Sequence, residues 1–133
     1  ILYGVVDVAA DTFTYASAAA PPPIVGRPDG APPTFLENRG ILAGATSRAM
    51  FNTYQATLRP GDYLFMYSDA LPEASTPSGD LLGDDAPATF LTDALTRNRA
   101  DPLEPLMESF YERTTNTPQD DLTLVYIVRT EDR

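Results

Sequence analysis

An α+β fold, with helices packed on a largely antiparallel sheet, is what this sequence predicts, and three observations carry the prediction. Segments rich in β-branched and aromatic residues recur as far as residue 67. Two segments with helical apolar spacing follow, DAPATFLTDALTRN and DPLEPLMESFYERT. A last strand-like stretch, QDDLTLVYIVRT, closes the chain. Strands, then helices, then a strand is the order of an α+β domain rather than of alternating βα units.

Taken in order, ILYGVVDVAADTFTYASAA predicts two strands around a turn at Ala9 to Asp11. APPPIVGRPDGAPPTFL concentrates prolines and glycines, which suits edge strands and turns, with Pro28-Asp29-Gly30 as a turn. Ile24, Val25, Phe35 and Leu36 are apolar enough to dock this segment on a sheet as a hairpin; a linker is the competing interpretation. ENRGILAGAT predicts a loop, MFNTYQATL a strand, and Arg59-Pro60-Gly61-Asp62 a turn. In YLFMYSD, Tyr63, Phe65 and Tyr67 share one face while Leu64 and Met66 share the other. A strand apolar on both faces is a covered, central one.

In the first helix Asp85 predicts a cap before Pro87, and Phe90, Leu91, Ala94 and Leu95 form one stripe. In the second, Asp101, Pro102 and Glu104 predict cap, first-turn proline and capping-box acid. Leu103, Leu106, Met107, Phe110 and Tyr111 form its stripe, and Pro105 is expected to delay the helix start by a few residues. The closing stretch is again apolar on both faces and predicts a second buried strand.

The 133 residues fit one domain, and a chain of this size buries roughly two thirds of its unfolded surface without staples. There is no cysteine and no histidine. Disulfides, thiolate or imidazole zinc sites, cysteine nucleophiles and Ser-His-Asp triads are therefore excluded within this chain. The composition is compatible with a reducing, cytoplasmic setting. The net charge is −10, with no lysine and nine arginines. So acidic a chain repels phosphate backbones and anionic lipid, which argues against nucleic-acid and membrane partners. Because Ile1 opens in what resembles the middle of a strand, the chain is expected to be a piece of something longer.

The chemistry-bearing residues lie at the ends of two strands. Asp69 follows one, and Asp120 and Asp121 precede the other. If those strands are antiparallel neighbours, the acidic groups meet at one rim. Carboxylates held together repel unless a cation or a proton sits between them. An all-oxygen donor set favours a hard ion, magnesium or manganese. Turn formation is the plainer role for an aspartate at a strand end, and it is the one assigned to Asp7, Asp11, Asp62, Asp84 and Asp85. Ser68 and Ser17 have no histidine to activate them as nucleophiles.

Six stretches in order, YASAAAPPP, RGILAGA, LRPGD, YSDALPEAS, SGDLLG and QDDLTLVYIV, resemble the C-terminal part of the SpoIIE/RsbU-like branch of the PPM-type metal-dependent serine/threonine phosphatases. The resemblance covers almost the whole chain. It implies that residues 1–133 are the C-terminal portion of a single phosphatase domain whose N-terminal part lies outside this chain. The implied fold is part of an α-β-β-α sandwich with two mainly antiparallel sheets flanked by helices. The implied cofactors are two Mn2+ or Mg2+ ions, whose bridging water attacks phosphoserine or phosphothreonine.

Residue by residue, Asp69 matches the metal aspartate of the family's Asp-Gly motif, Asp120 the one opening the last strand, and Asp121 its neighbour. Ser68, Ala70 and Ala20 fall on positions expected to line the cleft. The implied partner is a phosphorylated regulatory protein of a bacterium, such as an anti-sigma-factor antagonist, with a fused or partner sensory or receiver domain. The family's Ala-Gly-His is Ala18-Ala19-Ala20 here, and the glycine after the first metal aspartate is Ala70. With the remaining family metal aspartates upstream of this chain, the chain alone is expected to be inactive. A phosphatase-fold domain that lost its chemistry and binds regulatory partners is the alternative.

Overall fold

The computed structural model describes residues 1–27, 29–115 and 120–130. Two antiparallel sheets and two helices make up the described chain, as the α+β order predicts. Pro28 of the expected turn and Gln119 of QDD lie outside the described residues. The chain divides into two compact units, Ile1–Leu64 with Ile127–Arg133, and Phe65–Tyr126.

In the first unit, β1 (Leu2–Asp7) and β2 (Thr12–Ser17) pair in register from Leu2↔Ser17 to Asp7↔Thr12. Their turn is held by Asp7, whose Oδ1 accepts from the Ala9 and Ala10 amides at 2.9 and 3.0 Å. Asp11 closes it at φ 55, a conformation that aspartate tolerates better than most residues. β5 (Thr53–Thr57) pairs on the other side of β2, giving a sheet of order β1-β2-β5. The proline-rich segment forms the docked hairpin rather than a linker. β3 (Ile24–Gly26) pairs with β4 (Thr34–Phe35), and Ile24 and Val25 are buried. The Arg59–Asp62 turn forms as predicted, with Gly61 at φ 87 and the Asp62 amide donating to Arg59 O at 2.9 Å.

The second sheet has the order β4-β3-β6-β7, with β6 at Tyr63–Tyr67 and β7 at Leu124–Val128. Tyr63, Leu64, Phe65 and Tyr67 are buried, so β6 is the covered central strand that its two apolar faces predicted. For β7 the expectation of burial fails. Among the described residues it is the edge strand of its sheet, and Val125, Ile127 and Val128 are exposed, because side chains stand above and below a sheet and only a layer packed on its face buries them.

In the second unit, α1 (Ala86–Arg97) and α2 (Leu103–Arg113) pack against each other. Phe90, Leu91 and Ala94 of α1, with Leu106 and Phe110 of α2, are buried. Arg97 links the pair by donating to Pro105 O at 3.0 Å and to Ser109 Oγ at 3.3 Å. Asp85 sits at the α1 N-cap as expected, though without a side-chain capping bond. Two helix expectations need correction. The α2 N-cap is Pro102 rather than Asp101, and the Asp101 amide donates instead to Asn98 Oδ1 at 3.1 Å. Pro105 does not delay the helix, which starts at Leu103, because a residue in the first turn has no intrahelical acceptor for the N–H that proline lacks. Met107 and Tyr111 are exposed, so the α2 stripe is buried only in part.

Candidate active site

The site is built where β6 leaves the core. Tyr67 is buried, and burial first, then the nearby Asp84 carboxylate, push its phenol well above the ordinary value of 10.0. Two residues on, Asp69 is exposed. Leu71, fully buried, draws the chain back into the unit. Its amide donates to Ser68 O at 3.2 Å and the Glu73 amide donates to Asp69 O at 3.0 Å. Asp69 is thus held at the crest of a tight turn between two buried anchors, which places its carboxylate outward.

Ser68 fastens this turn to the start of β7. Its amide donates to Thr123 O at 2.9 Å, its hydroxyl donates to Asp121 O at 2.9 Å, and its Oγ accepts from the Thr123 amide at 3.0 Å. The antiparallel neighbourhood on which the carboxylate pairing depended is therefore present: the end of β6 lies beside the residues that open β7. Asp120 Oδ1 accepts from the Asp121 amide at 2.8 Å, which fixes the Asp120 side chain locally. Asp120 and Asp121 are both exposed. The structural role of Ser68 was missed in the sequence, where it counted as cleft lining. The matched motif carries a hydroxyl residue before the aspartate, which marks the position but not the partners it bonds.

Ala70 is half-buried and is not among the described residues with positive φ, so the backbone there does not require glycine. Ala20 belongs to the first unit, whereas Ser68, Asp69, Ala70, Asp120 and Asp121 belong to the second. In its own unit Ala20 donates its amide to Ser17 Oγ at 3.2 Å, and its carbonyl accepts from Asn38 Nδ2. Its neighbour Ala19 sits at φ 55, a left-handed conformation that costs an alanine about 1 kcal/mol. The family pattern has glycine at that position.

Tested as a metal centre, the donors are right in kind and short in number. Asp69, Asp120 and Asp121 offer only carboxylate oxygens, as a hard divalent ion prefers. Among the described residues, however, no group of three or more metal-capable side chains comes together. These residues alone do not make up a metal centre, and no catalytic step follows from them.

The fold is the one seen in solved PP2C-type phosphatase domains. The structure is similar to the RsbU and RsbW domains of Rv1364c from Mycobacterium tuberculosis, with 25% identity and a TM-score of 0.74 over 97% of this chain and 35% of that one. It is similar to the phosphatase domain of the Bacillus subtilis cell fate determinant SpoIIE, presoaked with Mn, with 15% identity and a TM-score of 0.71 over 100% and 57%. The SiaA-PP2C domain of Pseudomonas aeruginosa gives 20% identity and a TM-score of 0.72 over 91% and 47%. The chain thus spans less than two thirds of each of these chains. No curated relative matches it. The chain belongs to the SpoIIE family: the model described as Stage II sporulation protein E matches residues 1–130.

Proposed function

We propose that this chain is the C-terminal portion of a metal-dependent protein serine/threonine phosphatase domain acting on a phosphorylated bacterial regulatory protein, such as an anti-sigma-factor antagonist. The observation that carries this is the Ser68 junction, which fastens the turn bearing Asp69 to the segment bearing Asp120 and Asp121. Asp69 and Asp120 would hold Mn2+ or Mg2+, with Asp121 in reserve, and residues outside this chain would complete the site. Such ions supply an acidified water and neutralise charge on the phosphoryl oxygens. The chain's own residues hold the backbone under the carboxylates: Ser68 ties the turn of Asp69 to Asp121 and Thr123, and buried Tyr67 and Leu71 flank exposed Asp69. Ala70, next to Asp69, would line the cleft.

The incomplete donor set and the exposed apolar residues of β1 support a domain continued by upstream chain. Among the described residues no helix is long and apolar enough to cross a membrane. The three alanines at 18–20 and Ala70 favour a second reading, a domain that kept the scaffold and binds regulatory partners without turnover.

The test is a calorimetric titration of the full-length protein with manganese, with phosphate release from a phosphoserine peptide measured on the same samples. Manganese binding with turnover is the expected result. Saturation without turnover, or no binding, overturns the enzyme in favour of the binding module.

A further inference from the structure

Between Asn38 and Gly61 the chain has three arginines, Arg39, Arg48 and Arg59, and no acidic residue, in a protein of net charge −10. The same stretch holds the loop between β4 and β5, and every residue from 39 to 53 except Ala49 is exposed. Large apolar side chains stand out from it. Met50 is 86% exposed and Leu42 65%, with Ile41 and Phe51 also in solvent. The loop thus sets Arg39 and Arg48 beside this apolar surface, with Glu37 at its start and Arg59 beyond β5.

The loop is held in shape. The Ala45 amide donates to Leu42 O at 3.1 Å and the Ala49 amide to Thr46 O at 3.3 Å, giving two successive turns. At its base a side chain on Gly40 would meet Ser17 O at 2.0 Å, so the backbone lies directly against β2. An ordered loop loses less conformational entropy when it binds. Arg39 is near Glu37 at 3.5 Å, a pair exposed on both sides and so weak. Arg48 makes no ion pair among the described residues.

We propose that the loop from Arg39 to Asn52 is a docking site for an acidic polypeptide segment carrying a large apolar anchor. Charge complementarity selects the partner. Arg48 and Arg39 meet its carboxylates while Leu42, Met50 and Phe51 receive the anchor. The net charge of −10 disfavours a nucleic acid or an anionic membrane, which are larger polyanions than a short peptide. The docking is independent of catalysis and needs no metal.

The test is fluorescence anisotropy on the full-length protein, without metal, using a fluorescein-labelled glutamate-rich peptide with one phenylalanine. Wild type is expected to bind, Arg48→Glu to weaken binding roughly tenfold, and Arg99→Glu, on an exposed turn outside the loop, to leave it unchanged. Added salt is expected to weaken wild-type binding more than that of Arg48→Glu. Met50→Ser tests the apolar half separately, and it too is expected to weaken binding. No binding by wild type overturns the proposal, as does an Arg48→Glu affinity equal to wild type or an equal loss in Arg99→Glu. Tighter binding of single-stranded DNA or phosphatidylserine vesicles than of the peptide overturns it as well. Because no turnover is read, a catalytically dead protein that still docks the peptide leaves this proposal standing.

Discussion

The strand β6 has an aspartate just outside each end, and the two live in opposite surroundings. Asp62, before it, is 2% exposed. Its Oδ2 accepts from the Arg59 amide at 2.9 Å and from Arg27 at 3.2 Å, and its backbone carbonyl accepts from the Arg129 amide at 2.9 Å. Asp69, after it, is exposed, and its carboxylate accepts no bond among the described residues. Both would pass as turn residues in the sequence. The difference teaches that a carboxylate whose charge is met inside the fold is a structural part, while one held outward by buried neighbours is available to something else.

That comparison can be broken most decisively at Asp69. In the full-length protein Asp69→Asn is expected to lower manganese-dependent phosphatase activity on the order of a thousandfold. Its denaturation midpoint should stay at the wild-type value, since no internal bond is lost. An unchanged rate removes Asp69 from the metal site. At the other end, Asp62→Ala removes the acceptor for Arg59 and Arg27 and should cost about 2 kcal/mol in urea unfolding. A loss well below that would mean the buried carboxylate is replaced by water at little cost. The turn role assigned to Asp62 from sequence was correct and too small.

Two alanines at family glycine positions sharpen the same contrast. Ala19 is at positive φ and Ala70 is not. Ala19→Gly should therefore stabilise the protein by about 0.5–1 kcal/mol, and Ala70→Gly should destabilise it by a similar or smaller amount. Opposite signs in the two unfolding curves are the expected outcome; equal signs would mean backbone strain does not decide either site.

The smallest effect is expected at Tyr67. Its folded-state pKa is raised by burial and by Asp84, so the stability it contributes is fully present below the ordinary value of 10.0 and is lost as pH rises above it. Tyr67→Phe should flatten the fall of stability above about pH 10. Thermal melts across that range would read it, and an unchanged slope would place the alkaline loss elsewhere, for instance at Tyr15, whose pKa is also raised by burial.

Much of the fold was legible because local rules decide it. Turn residues at Asp7–Asp11 and Arg59–Asp62 ended strands where expected, and apolar spacing located both helices. The errors came where neighbours decide. LVYIV looks as buried as YLFMY, yet β7 is an edge and β6 is central. Likewise β1 is apolar and exposed, with Tyr3 73% accessible, although nothing in its composition distinguishes it from a core strand. For the site, the motif order singled out Asp69 and Asp120. The bonds of Ser68 to Asp121 and Thr123 were not readable, because they join residues more than fifty positions apart.

The sequence by itself determined the order of elements, the family and the exclusion of imidazole and thiolate chemistry, since these follow from residue identity and short-range spacing. Only the tertiary structure decided which apolar strands are covered, which aspartate is neutralised internally and which is left outward. Burial and pairing are properties of long-range contacts, and two identical local patterns take different values of both when different neighbours pack against them.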